Sequence, residues 1–197
     1  LFSRYTELPV AARRGVDRAE VLAELRKTIP ARRAQLAADA GDLGEIVGGP
    51  GGWQLPRGVV LRMRVFDIWL HDQDLRRSTG TVGELDTDAA WVAADRMVGA
   101  LGYSWSKLAG APIGSTVAIS VTGPGVAFRV AAIVADNGRG QLVSADSIGE
   151  PDVDVALSWP DYAALCAGRI PTSSALVAIE GDPDLAARLL PALEITP

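Results

Sequence analysis

The chain has one histidine among 197 residues, His71, inside the run RVFDIWLHDQDLRR from Arg64 to Arg77. Asp67 lies four positions before it and Asp74 three positions after it. On a helix, positions i, i+4 and i+7 share one face. A carboxylate and an imidazole one turn apart offer an oxygen and a nitrogen donor to a divalent metal, with zinc suiting the pair best. Two donors are not a site, because a catalytic zinc takes three protein ligands and keeps a position open. Asp74 suits an outer role, accepting a hydrogen bond from the second imidazole nitrogen. The same spacing is also that of an ordinary aspartate–histidine pair on a helix, and D-x-x-x-H is a short, common pattern. Arg64 sits one turn before Asp67, where it can orient that carboxylate, hold an anionic substrate or form a plain helix ion pair. Arg76 and Arg77 share the helix.

The remaining reactive groups are fewer. Cys166 lies in YAALCAGR. A nucleophilic cysteine needs a base or cation beside it, and the apolar neighbours read instead as a small core residue. Arg169, three residues on, complements a helix C-terminus or reaches an anion between two domains. The glycine-rich IVGGPGGW lacks the GK[ST] ending of a phosphate loop and reads as a flexible connection. No nucleophile elbow supports a Ser–His–Asp arrangement.

These residues need elements to hold them. The first half has helical periodicity: a helix end and turn in 1–14 around Pro9, then a helix from 17 to 38. Asp17 is its N-cap, Glu20 stands at N3, and Val21, Leu22, Leu25, Ile29 and Leu36 form its apolar stripe. A loop over 41–52 follows. The next helix runs over 56–78, with Pro56 at its start, Gly80 past its end and Val59, Met63, Phe66 and Leu70 as a stripe. Asp86 or Thr87 caps a helix over 89–108, with Trp91, Ala94, Val98, Leu101 and Trp105 as its buried face. Amphipathic helices joined by loops predict a four-helix bundle over 1–112. The second half, 113–197, predicts strands at 116–122, 127–135, 141–144, 153–158 and 175–180, with helices over 162–167 and 183–193. An antiparallel sheet with two packed helices is an α+β layer, so the whole chain falls in the α+β class.

Composition narrows the functions. A hydrophobic content of 48% supports a packed core, and a net charge of −5 argues against nucleic acid as a partner. One cysteine excludes an internal disulfide and a multi-cysteine zinc site and suits a reducing cytoplasm. No apolar run approaches the ~18 residues of a membrane span. The start, LFSRYTELPVAARR, has no signal-peptide pattern. It lacks an initiator Met and reads as the interior of a helix, so a preceding segment is expected.

The segment LRMRVFDIWLHDQDLRRSTG resembles the signature helix of the mycothiol-dependent maleylpyruvate isomerase-like family, typically R-x-x-E-x-W-x-H-x-x-D-x-R. Arg64, Trp69, His71, Asp74 and Arg76 match it. The tail, LSWPDYAALCAGRI and then AIEGDPDLAARLLPALEITP, is similar to the C-terminal domain of that family. The resemblance implies a DinB-like metal-binding bundle followed by a domain similar to sterol carrier protein type two. It implies mycothiol and a divalent metal as cofactors, Asp67 and His71 as metal ligands, and Asp74 as their outer partner. Arg64 and Arg169 would bind the carboxylate of a small anionic or electrophilic substrate. Asp67 stands where the family has glutamate, one methylene shorter by roughly 1.5 Å. The family's other ligand histidine lies upstream of Leu1; without that segment a three-ligand site is not expected to form. The implied activity is isomerisation or S-transfer by a metal-held thiolate. The alternatives are a non-catalytic small-molecule or lipid binder with a degenerate metal site, and a DinB-like metal hydrolase. A homodimer is compatible with all three.

Overall fold

The computed structural model describes residues 2–49 and 52–196. The chain is an α+β protein with two compact units, Leu1–Met63 and Arg64–Pro197.

In the first unit, α1 (Phe2–Ala11) gives way to a turn, and Asp17 caps α2 (Arg18–Ala38) by accepting the Ala19 N–H at 2.7 Å. Arg13 donates from Nε and Nη2 to the Glu24 carboxylate at 3.0 and 2.5 Å, which ties the turn to α2. Helix α2 buries no residue, and Leu22, Leu25, Ile29 and Leu36 of its stripe are exposed. The glycine-rich stretch is more ordered than a flexible connection. Its β1 (Ile46–Gly48) pairs antiparallel with β2 (Gln54–Pro56), Val47 opposite Leu55. The β-branched Ile46 and Val47 favour this pairing over a free loop; Pro50 and Gly51 of the same stretch lie outside the described residues. Pro56 leads directly into α3 (Arg57–Thr79), and the Arg57 guanidinium pairs with Asp39.

The second unit is built on one five-stranded sheet in the order β5-β4-β3-β6-β7. Its strands are β3 (Thr116–Thr122), β4 (Phe128–Val134), β5 (Gly140–Val143), β6 (Val153–Ser158) and β7 (Val177–Gly181). Neighbours run antiparallel except at the centre, where β3 and β6 run parallel, Ile119 beside Val155. A parallel pair needs a crossover rather than a tight hairpin, and the long segment between β5 and β6 supplies it.

Alternation along the strands makes one buried face from Val117, Ile119, Val121, Val153, Val155 and Leu157. Each such side chain contributes about 1.5–3 kcal/mol when fully buried. Helix α4 (Asp88–Tyr103) packs on β4 and β5, α5 (Trp159–Cys166) on β3 and β6, and α6 (Pro183–Ala192) on β6 and β7. On the other face, Arg129 holds Asp154 at 3.1 and 2.6 Å and Ser120.

Helix α4 presents Ala90, Ala93, Ala94, Met97 and Leu101 to the core, and Trp91 is exposed. The small residues select the buried face, because they let the helix approach the sheet. Trp91 is about 100° round the helix from Ala90. The approach is tightest at Gly102, where an added Cβ would stand 2.7 Å from the Gly140 carbonyl oxygen. Past Tyr103 the helix widens into a single π turn, Ser104–Leu108, which buries Trp105.

Candidate functional site

Helix α3 carries the site on two adjacent faces. On the exposed face the imidazole of His71 lies between two carboxylates, one for each ring nitrogen. Its Nε2 is 3.6 Å from Asp67 Oδ1 and its Nδ1 is 3.5 Å from Asp74 Oδ2. Arg64 Nη1 stands 3.1 Å from the other Asp67 oxygen, Oδ2. The His71 side chain is 67% exposed, so an incoming cofactor can reach it. Two donors on a tetrahedral zinc at about 2.1 Å each lie roughly 3.4 Å apart, so the Asp67–His71 gap fits a shared cation. A carboxylate on the far nitrogen is the usual support of a metal-bound histidine. Among the described residues no group of three His, Cys, Asp or Glu side chains converges on one point. Among the described residues the Asp67–His71 pair therefore stands without the third ligand that a catalytic zinc takes.

Asp74 is fixed from elsewhere. Arg169 donates to its two carboxylate oxygens, Nε to Oδ1 at 2.9 Å and Nη2 to Oδ2 at 3.0 Å. The sequence places Arg169 there through the end of α5. Gly168 has φ +65° and donates its N–H to the Leu165 carbonyl, and the Arg169 N–H reaches back to Ala164. This is a Schellman closure, which needs a residue that tolerates the left-handed region. The guanidinium also donates from Nη1 to the Ala167 carbonyl at 2.6 Å. Its hydrogen bonds to Asp74 hold that carboxyl below the usual range, and the carboxylate raises the pKa of Arg169 in turn. The arginine fork is thus committed to Asp74.

On the adjacent face of α3 a cavity of about 370 Å³ opens against α5 and the segment after α3. Trp69, Leu70, Leu85, Ala163 and Ala164 give it apolar walls. Its charged lining is Asp74 with Arg76, Arg77 and Arg169. Trp69 is buried and stacks on Trp159, ring centroids 5.5 Å apart. Its indole Nε1 donates to the Glu84 carbonyl at 2.8 Å. Gln73 donates to the Gly83 carbonyl at 3.2 Å, and Arg76 pairs with Asp72 at 2.6 Å and approaches Glu84 at 3.6 Å. Glu84 itself has φ +56°, an uncommon conformation for a residue with a side chain. These contacts hold the segment from Gly80 to Leu85 as a cavity wall.

Cys166 is buried, and burial pushes its thiol up to about 12, which removes it as a nucleophile. Burial likewise raises the phenol of Tyr162. Sequence reasoning missed the Asp74–Arg169 pair, the Trp69–Trp159 stack and the wall after α3. Each joins residues distant in sequence or carried by an irregular segment, so no periodic pattern announced it.

On α3 one imidazole thus stands between two carboxylates. The profile of the mycothiol maleylpyruvate isomerase N-terminal domain matches residues 1–76, the segment that holds Asp67, His71 and Asp74. No curated protein matches the chain. Among solved structures, sterol carrier protein 2 like 2 from Aedes aegypti is 16% identical, covers 49% of this chain and 93% of its own, and has a TM-score of 0.37. The sterol carrier protein domain 2 of Helicoverpa armigera is 17% identical, covers 57% of this chain and 90% of its own, and has a TM-score of 0.38. Among the described residues no helix is long and apolar enough to cross a membrane.

Proposed function

We propose that the protein is an enzyme of thiol chemistry that brings mycothiol to a small electrophilic, anionic substrate for isomerisation or S-transfer. The observation that carries this reading is the His71 imidazole between Asp67 and Asp74, 3.6 and 3.5 Å away, within the family segment 1–76. In this reading Asp67 Oδ1 and His71 Nε2 are donors to a divalent metal, zinc by their chemistry. Such a metal, when bound, keeps a coordinated thiol in its thiolate form.

The chain's own residues set up that pair. Asp74 Oδ2, 3.5 Å from His71 Nδ1, would face a proton carried on that nitrogen and so leave the Nε2 lone pair toward the Asp67 side. Arg169 acts as a positioning residue, because its fork holds Asp74 rather than a substrate. Arg64 engages Asp67 Oδ2 and leaves Oδ1 toward the imidazole. As an exposed cation, Arg64 is also the group that meets a substrate carboxylate arriving at this face. A second reading, a small-molecule binder without chemistry, is favoured by the apolar-walled cavity of about 370 Å³ beside α3.

The test is turnover of a thiol-reactive, carboxylate-bearing electrophile by purified protein with mycothiol. The enzyme reading expects mycothiol-dependent turnover that a chelator abolishes and that His71→Ala lowers by about 100-fold or more. Turnover indifferent to both contradicts it. Absence of any turnover, with ligand binding retained, favours the binder.

A further inference from the structure

The cavity beside α3 has an imbalance of charge that the site on the exposed face does not use. Of its charged lining, Arg169 is committed to Asp74 and Arg76 to Asp72 and Glu84. Arg77 also lines it, is exposed, and among the described residues has no carboxylate partner. The rest of the lining is largely apolar, and its inner wall is the buried, stacked Trp69. A volume near 370 Å³ lies at the small end of ligand pockets. Apolar walls would leave a second charge on the ligand desolvated and unpaired, which disfavours it.

From this we infer that the cavity binds a small monocarboxylate with an apolar body, and that Arg77 reads the carboxylate. The body lies against Leu70, Leu85 and the alanines of α5; the carboxylate stays at the mouth, where the guanidinium can give it two parallel N–H bonds. The inference goes beyond the thiol-chemistry reading and does not rest on it: the cavity ligand is bound apart from the substrate carboxylate that Arg64 meets on the exposed face. It selects against dicarboxylates, since the other cavity arginines are already paired within the protein.

Binding is tested on the intact chain by calorimetric titration with benzoate, hexanoate, their neutral amides and adipate. The indole signal of Trp69, identified through Trp69→Phe, reports the place of binding. The expected result is that benzoate and hexanoate shift that signal. The amides and adipate should bind about tenfold more weakly, and Arg77→Gln should lower carboxylate affinity about tenfold to the level of the amides. Arg77 is exposed, so the variant keeps the fold. Equal affinity for acid and amide, tighter binding of adipate, or unchanged benzoate affinity in Arg77→Gln overturns the inference. Turnover that survives His71→Ala while benzoate binding still follows Arg77 would remove the thiol-chemistry reading and leave the cavity ligand standing.

Discussion

Arg169 grips Asp74 with two nitrogens, at 2.9 and 3.0 Å, across 95 residues of sequence. The same carboxylate lies 3.5 Å from His71 Nδ1, so the end of α5 reaches the imidazole on α3 through one aspartate. Two carboxylates and two arginines therefore surround a single histidine, each arginine bound to a different carboxylate.

The Asp74–Arg169 pair has a pH signature. The arginine lowers the folded-state pKa of Asp74 from an unfolded value near 3.9. Its contribution to stability is therefore fully present above about pH 5 and is lost as pH falls through the lowered value. Both side chains are about a third exposed, so solvent screening keeps the contribution on the order of 1 kcal/mol. Urea unfolding at pH 6 and pH 3 should show Asp74→Asn destabilised at pH 6 and converging on the parent protein at pH 3. A gap that stays constant with pH would contradict the assignment.

Arg169→Lys keeps the charge and loses the fork. Lysine is a point charge and cannot hold both carboxylate oxygens in one plane. The expected outcome is a folded protein in which zinc affinity falls about 10–100-fold, as for other losses of an outer partner. The His71 tautomer, read from its ring nitrogens by NMR, becomes mixed. An unchanged tautomer and affinity would reduce Arg169 to a structural tie.

Gly102 and Gly140 mark the closest approach of α4 to the sheet. A Cβ on Gly140 would stand 1.8 Å from the Gly102 carbonyl oxygen, and both partners are backbone. Neither can turn aside, so Gly140→Ala should destabilise the chain by about 3 kcal/mol, at the upper end of overpacking costs. Thermal unfolding measures it. An exposed control, Gly149→Ala, has no heavy atom within 4 Å of the new Cβ and should change stability little.

The regular elements were legible because their signals are local. Asp17 and Thr87 cap their helices through their own side chains, and Gly80 and Gly168 end theirs at positive φ. Strands β3 and β6 have the expected bounds, since Val117, Ile119 and Val121 alternate as cleanly as Val153, Val155 and Leu157. Less legible was which face a helix buries. Trp91 is the more hydrophobic candidate, but the alanines of α4 allow the closer packing. Of the site, the sequence announced Asp67, His71 and Asp74, whose spacing is helical. The partner of Asp74 and the cavity depend on the meeting of α3, α5 and the wall between Gly80 and Leu85, which no single window of sequence contains.

The central claim is that His71 is a metal donor. Because it is the only histidine, its ring nitrogens give one unambiguous set of signals in a long-range proton–nitrogen spectrum. Titration of the intact chain with zinc should move the Nε2 resonance, leave a proton on Nδ1, and saturate at one metal per chain. In a parallel titration His71→Ala should bind zinc at least about 100-fold more weakly. Nitrogen signals that stay fixed through a full equivalent of zinc, or equal zinc affinity in His71→Ala, would contradict the account.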